Sequence, residues 1–197
     1  MSWKSGLAAA AVVLVLGCTG NGDPGGDPVT DRGAAFLPEP SPALSESLLA
    51  GLAQAKNLHH MAALYLADGD PDRALATLAR ILEIDMPAGA PEAEDIRLDA
   101  RARMAKVAMM QGDLDGALDM VETGIAKASR PSFFVANLYT VKGEIYQARA
   151  VALDATDPDG SRAARKMAIA AYERSNQINV ALQKSLMKNH PPAKARP

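Results

Sequence analysis

The stretch GDPDRAL at residues 69–75 decides the fold, because it returns as GDLDGAL at residues 112–118. Each copy lies between two apolar segments of helical character. Gly suits the end of a helix, where a left-handed backbone is needed, and the Asp after it can accept hydrogen bonds from the first N–H groups of the next helix. Pro71 would occupy a first-turn position, where its missing N–H costs nothing. The sequence therefore predicts two helix–turn–helix junctions of one design.

The composition favours an all-α protein. Strong helix formers (Ala, Leu and Met) are abundant, runs of β-branched residues are few, and aromatic residues make up only 4% of the chain. Removing residues 1–17 would take Lys4 from the 21 basic residues and leave the 23 acidic ones, so the net charge would be about −3. This weakly acidic balance is unlike the basic stripe of a nucleic-acid-binding protein, and we expect no nucleic-acid partner.

Around the junctions the chain resembles the tetratricopeptide repeat, an antiparallel helix pair of about 34 residues. In the first copy the family's helix A, turn and helix B positions hold Leu58, Met61, Ala62 and Tyr65, then Gly69, then Ala74, Leu78 and Ile81. The second copy has Met104, Ala105, Ala108, Gly112, Ala117, Val121 and Gly124 at these positions. The third has Tyr139, Gly143, Tyr146, Ala168, Tyr172 and Ser175, with a turn lengthened by DATDPDG at residues 154–160.

The resemblance covers roughly residues 55–180 and implies about three repeats, which is about the number needed for independent stability. We expect six to seven helices in a short right-handed α-solenoid. The helical domain would span residues 43–188, with its first helix starting at Ala43 and a final capping helix from about Ser161. Residues 189–197 would form a disordered tail. Small residues such as Ala62, Ala105 and Gly143 would let paired helices approach closely.

The first residues predict a membrane anchor. An uncharged run at residues 6–17 follows Lys4; it is too short to span a bilayer but suits a secretory signal. It ends in VLGC at residues 15–18, which resembles the lipobox of bacterial lipoproteins. The resemblance implies cleavage before Cys18 and a covalent diacylglycerol and N-acyl lipid on Cys18, with no other cofactor. Because Thr19 replaces the aspartate typical of inner-membrane retention, it also implies the periplasmic face of the outer membrane.

An ordinary secreted protein is the alternative to this anchor, but Cys18 is the only cysteine, and it would then have no partner. Residues 18–42 contain TGNGDPGGDPVTDRGAAFLPEPSP, dense in Gly, Pro and Asp. Such a segment buries too little apolar surface to fold by itself. We therefore predict a flexible tether between the anchor and the helical domain.

No catalytic or metal-binding motif stands out in the sequence. His59 and His60 are adjacent, and helical metal pairs need i, i+4 spacing; the loop DATDPDG at residues 154–160 lacks the glutamate of a calcium loop. The interpretation is a non-enzymatic protein without a metal or a small-molecule substrate.

In tetratricopeptide domains that bind peptides, helix A makes most of the contacts. Carried over by repeat position, the candidate groove residues are Lys56, His59, Ala63, Asp99, Lys106, Met109, Asn137, Glu144 and Gln147. Exposed Met109 and Met110 would suit adaptable binding, although methionine is more often core filler. The Lys and Asn clamp of chaperone-type domains is not reproduced at these positions.

The leading hypothesis is a membrane-anchored interaction scaffold or assembly factor that binds another envelope protein. Its specific version resembles pilotins, which escort outer-membrane secretin subunits. The alternative is a peptidoglycan-associated accessory protein whose groove binds glycan or stem peptide. An enzyme would require an acid and a base brought together across helices, and the sequence offers no candidate pair.

Overall fold

The computed structural model describes residues 45–189 of the 197-residue chain. The predicted signal peptide, Cys18, the tether, the helix start at Ala43 and the tail from residue 190 lie outside the described residues. Residues 45–189 form six helices and contain no strand. The helices are α1 (Glu46–Ala67), α2 (Pro71–Leu82), α3 (Pro91–Met110), α4 (Leu114–Lys127), α5 (Phe133–Leu153) and α6 (Pro158–Asn189).

The two Gly-Asp junctions fold as the sequence predicts. Gly69 (φ +76°) and Gly112 (φ +83°) have left-handed backbones, a conformation that costs glycine little. The next residue caps the following helix: Asp70 Oδ1 accepts from the Arg73 N–H (3.0 Å), and Asp113 Oδ1 from the Gly116 N–H (2.9 Å). These junctions connect α1 to α2 and α3 to α4.

A third junction of related design starts α6, and here the predicted boundary is wrong. The helix begins at Pro158 instead of Ser161, because Asp157 Oδ1 accepts a hydrogen bond from the Gly160 N–H at 2.9 Å. Residues 157–159 read DPD, as residues 70–72 do. The helix also continues to Asn189, one residue beyond the predicted end.

The helices pack as consecutive antiparallel neighbours around two groups of buried residues. The first core consists of Leu48, Ala55, Leu58, Ala62, Ala74, Leu78, Ile81, Ile84, Met86, Ala93, Ala100 and Val107. The second core consists of Leu98, Ala102, Ala105, Ala108, Ala117, Val121, Val135, Ala136, Leu138, Val141, Ile145 and Ile178. Helix α3 contributes to both, so it is the centre of the array.

Most residues at the family's helix A and helix B positions are buried or half-buried, whereas Met61 is 40% exposed. The close approach predicted at Gly143 is confirmed, since a Cβ built there would lie only 2.7–2.9 Å from three ring atoms of Tyr172. Helices α5 and α6 form the most extensive helix pair. Their interface also contains polar contacts, such as the buried Ser161 hydroxyl donating to the Ala150 carbonyl at 2.8 Å.

This architecture is an all-α helical-repeat solenoid of three helix pairs: α1–α2, α3–α4 and α5–α6. Among the helices within residues 45–189, none combines the length and the apolar character needed to cross a membrane.

Candidate functional site

The first helices of the three pairs, α1, α3 and α5, lie side by side. Two hollows open between them, of about 190 Å³ between α1 and α3 and about 230 Å³ between α3 and α5. Both are lined by Arg103 and Lys106, so they form one continuous feature, which we call the α1–α3–α5 groove. Asp99, Arg103, Lys106 and Met110 line it at spacings of three and four residues, which places them on one face of α3.

The hollow between α1 and α3 is apolar at its floor and basic at its rim. Its apolar lining residues are Ala62, Ala63, Leu66, Leu78, Val107 and Met110. Met110 is 72% exposed, an unusual position for a large apolar side chain. Arg103 and Lys106 stand at the rim with about half of each side chain exposed. An incoming apolar side chain would therefore meet two cations beside its binding surface.

Polar contacts connect the three helices across the groove. Asp99 on α3 accepts from Arg103 Nε at 2.7 Å, and its Oδ2 also lies 3.5 Å from His59 Nε2 on α1. Lys106 Nζ on α3 lies 3.1 Å from Glu144 Oε2 on α5. The Lys106–Glu144 pair thus links α3 to α5, while Arg103 and Lys106 remain about half exposed and accessible to a ligand.

His59 is the most buried ionisable group of the groove, with 12% of its side chain exposed. Burial lowers its pKa below 6.5, the Arg103 charge lowers the pKa further, and Asp99 opposes both effects. Neither ring nitrogen has a hydrogen-bond partner with good geometry among the described residues. The neutral ring therefore adds apolar surface to the hollow, and its two nitrogens are buried without a hydrogen-bond partner.

The structure brings six of the candidate groove residues predicted from the sequence into this region. His59, Ala63, Asp99, Lys106 and Asn137 line the two hollows, and Glu144 joins them through Lys106.

The other three candidates lie elsewhere. Met109 is half-buried and packs against the second core, so its predicted exposure is wrong and Met110 stands in the groove instead. Gln147 lies against α6, where its Oε1 accepts from the Tyr172 hydroxyl at 3.2 Å. Lys56 is exposed on α1 and lines neither hollow.

Arg103 is the functional candidate that the sequence reasoning missed. Its signal was the i, i+4 spacing from Asp99, which places the two side chains together on one helix face.

The Asp-rich turn before α6 has a structural role. Asp157 caps α6, and Asp154 accepts from Ser161 and Arg165 at 3.1 Å each. Within residues 45–189, no group of three or more His, Cys, Asp or Glu side chains is placed to hold a metal ion.

Residues 65–133 match the tetratricopeptide repeat family. The match starts at Tyr65 near the end of α1 and contains α2, α3, α4 and both predicted Gly-Asp junctions. No curated protein and no solved structure matches the chain.

Tetratricopeptide repeats are interaction modules that bind protein partners, and stacked repeats create extended concave binding surfaces. The family match therefore supports a role in protein–protein interaction. In this chain the matched segment supplies the central helix of the groove, α3, with Asp99, Arg103, Lys106 and Met110.

Proposed function

We propose that this protein is a lipid-anchored interaction domain whose α1–α3–α5 groove binds a segment of an envelope protein. The observation that carries the proposal is the apolar hollow between α1 and α3, with Arg103 and Lys106 at its rim. A complementary segment presents a large apolar side chain with one or two carboxylates beside it. Burying such a side chain contributes about 1.5–3 kcal/mol to the binding free energy. The carboxylates determine the orientation of the bound segment and the specificity for the partner.

Site-directed photo-crosslinking in the native host tests the groove. A photoreactive amino acid at Ala63 or Met110, both exposed at the hollow, should capture the same protein. The control position is Ala170, which is exposed on α6 and lines neither hollow. Equal capture at Ala170, or no reproducible product at Ala63 and Met110, would count against the groove as the binding surface.

The charge of the rim gives a second test of the same surface. Arg103→Gln with Lys106→Gln should weaken the crosslink at Ala63, because the carboxylates of the partner would lose their cationic neighbours. Lys166→Gln with Lys184→Gln removes two charges from exposed positions of α6 and should leave the crosslink unchanged. A crosslink that survives the rim substitutions would remove the electrostatic part of the proposal.

The lipid anchor is supported by the lipobox resemblance at residues 15–18 and by the single cysteine. Mass spectrometry of the N-terminal peptide should find two or three acyl chains on Cys18, and Cys18→Ser should move the protein from the membrane to the soluble fraction. Wild-type protein with an unmodified Cys18 would refute the anchor and leave the groove proposal intact.

A narrower proposal is that the partner is an outer-membrane protein whose assembly this chain assists. It rests on the anchor and on the repeat domain together. Identification of the crosslinked partner tests it directly, and binding to purified sacculi with Ala63-dependent capture of stem peptide would favour the peptidoglycan alternative instead.

A further inference from the structure

A larger hollow, of about 660 Å³, lies apart from the groove. The loop between α2 and α3, the first half of α3 and the end of α4 with the residues after it enclose this space, which we call the basic cavity. The polar side chains that line it are Glu94, Arg97, Arg101, Lys127, Ser129 and Arg130. Arg101 of the cavity and Arg103 of the groove are about 200° apart around the α3 axis, so the two sites use different faces of the helix.

The charge of the basic cavity is strongly one-sided. Four cationic side chains line it against one carboxylate, that of Glu94. This carboxylate is already engaged, because one oxygen accepts from the Ser129 N–H at 3.0 Å and the other accepts from the Ser129 hydroxyl. Four cations thus share this region with the Glu94 carboxylate and with Asp95, which pairs with Arg130, and an anionic ligand would stabilise the excess of positive charge.

Two of the four cations are held in place by the protein. Arg97 donates to the Ile84 carbonyl at 3.0 Å, and Arg130 donates to the Pro91 carbonyl at 3.1 Å and to Asp95 at 2.6 Å. A guanidinium has five N–H donors, so both arginines keep donors for a ligand. Their positions are set before any ligand arrives, which lowers the cost of binding.

The other two cations, Arg101 and Lys127, form no ion pair within residues 45–189. The stem of Arg101 lies against α4, with its Cδ 3.3 Å from the position that a Cβ on Gly124 would occupy. Arg101 is thus supported by packing instead of by a carboxylate. Beside these charges, Leu82, Ala93 and Leu98 supply an apolar wall.

We infer that the basic cavity is a second binding site, for a small molecule that carries a phosphate or diphosphate group next to an apolar part. Arginine forks match the geometry of phosphate oxygens, and the volume lies in the range of about 300–1,000 Å³ that is usual for small-molecule sites. This site is independent of the groove and of its protein partner.

Calorimetric titration of the full chain in detergent, with sodium pyrophosphate as the probe and NaCl keeping the ionic strength constant, tests the inference. We expect saturable one-to-one binding. Arg101→Met with Lys127→Gln should weaken it by at least about tenfold, as the loss of charge-assisted hydrogen bonds predicts. The exposed Lys127→Glu substitution alone should give the same direction of change if the double variant does not fold.

Lys166→Gln with Lys184→Gln is the matched control, because it removes the same number of charges from positions that do not line the cavity. Equal weakening in this control would show a general charge effect and overturn the inference. A heat signal that does not saturate as pyrophosphate is added would also overturn the inference. The inference would also be overturned if the protein did not bind pyrophosphate but bound phosphatidylglycerol vesicles in an Arg101-dependent way. That result would assign these cations to a lipid surface.

Discussion

Gly143 determines how closely α5 and α6 pack. A methyl group at this position would lie under 3 Å from the Tyr172 ring, and an aromatic ring cannot bend away from it. Although alanine is the better helix former, we expect Gly143→Ala to lower the free energy of unfolding by about 1–3 kcal/mol, the usual cost of overpacking. Urea denaturation followed by circular dichroism measures the change.

Gly51 on α1 is the matched control for Gly143, because it is also a buried helical glycine. A Cβ there would lie 2.6 Å from Cγ of Met86, but an unbranched methionine side chain can rearrange. Gly51→Ala should therefore destabilise the protein less than Gly143→Ala. The reverse order would show that backbone propensity, and not the Tyr172 ring, decides these substitutions.

His59 should make the stability depend on pH. Burial, then the Arg103 charge and the neighbouring His60, lower its pKa in the folded protein, and Asp99 raises it. The unfolded chain then binds more protons below pH 6.5, so this contribution to stability is complete above pH 6.5 and is lost as the pH falls. We expect the unfolding free energy to decrease between about pH 6.5 and 5, and His59→Gln to reduce that slope.

The slope is measured by urea unfolding at a series of pH values. His60→Gln, at the exposed neighbouring position, is the control and should change the slope much less than His59→Gln, because His60 is the smallest of the influences on the His59 pKa. If His59→Gln leaves the slope unchanged, the imidazole is not held in its neutral form by the groove.

At the scale of helices, each capping aspartate stabilises the start of its own helix. Asp113 accepts a hydrogen bond from the Gly116 N–H at the start of α4. Asp113→Ala should lower the melting temperature and cost about 1 kcal/mol of unfolding free energy. Asp119→Ala, at an exposed position within α4, removes the same charge without removing a cap and should cost less.

The helix boundaries show what local sequence can predict. The junctions at Gly69-Asp70 and Gly112-Asp113 can be predicted from the sequence. Glycine suits the left-handed backbone that ends a helix, and aspartate suits the cap of the next one. The predicted start of α6 is wrong because Asp157, which is predicted to lie in the long turn 154–160, caps the helix, and residues 157–159 repeat the Asp-Pro-Asp sequence that begins at Asp70. The capping residue therefore predicts the first residue of the helix better than the length of the preceding loop does.

The groove was less predictable than the junctions, because it depends on the rotation of each helix. Met109 and Met110 differ by one position, which is about 100° around the axis, and packing against α4 and α5 decided which one enters the second core. The basic cavity was not foreseen at all. Its charges come from two helices and the loop after α4, and only the tertiary fold brings them together.

At the scale of the molecule, α6 covers one face of α5 along its length. The terminal unit of a repeat array protects the apolar face of its neighbour. A chain ending after Leu153 should expose the side of α5 that carries Gly143 and Ala150, lose cooperative unfolding, and bind the hydrophobic dye ANS. A chain ending after Ser185, which keeps Ile178 and Leu182 of α6 against the second core, should remain folded and dye-free.

The position of α3 in both cores determines how the protein responds to mechanical load. Each outer pair packs against the central pair, α3 with α4, on one side, whereas α3 has core residues on two sides. When Ser45 and Lys188 are pulled apart, the outer pairs should detach from the central pair first, at low force, and α5 should separate from α6 only at higher force. A domain built in this way yields from its ends and preserves the middle of its groove longest.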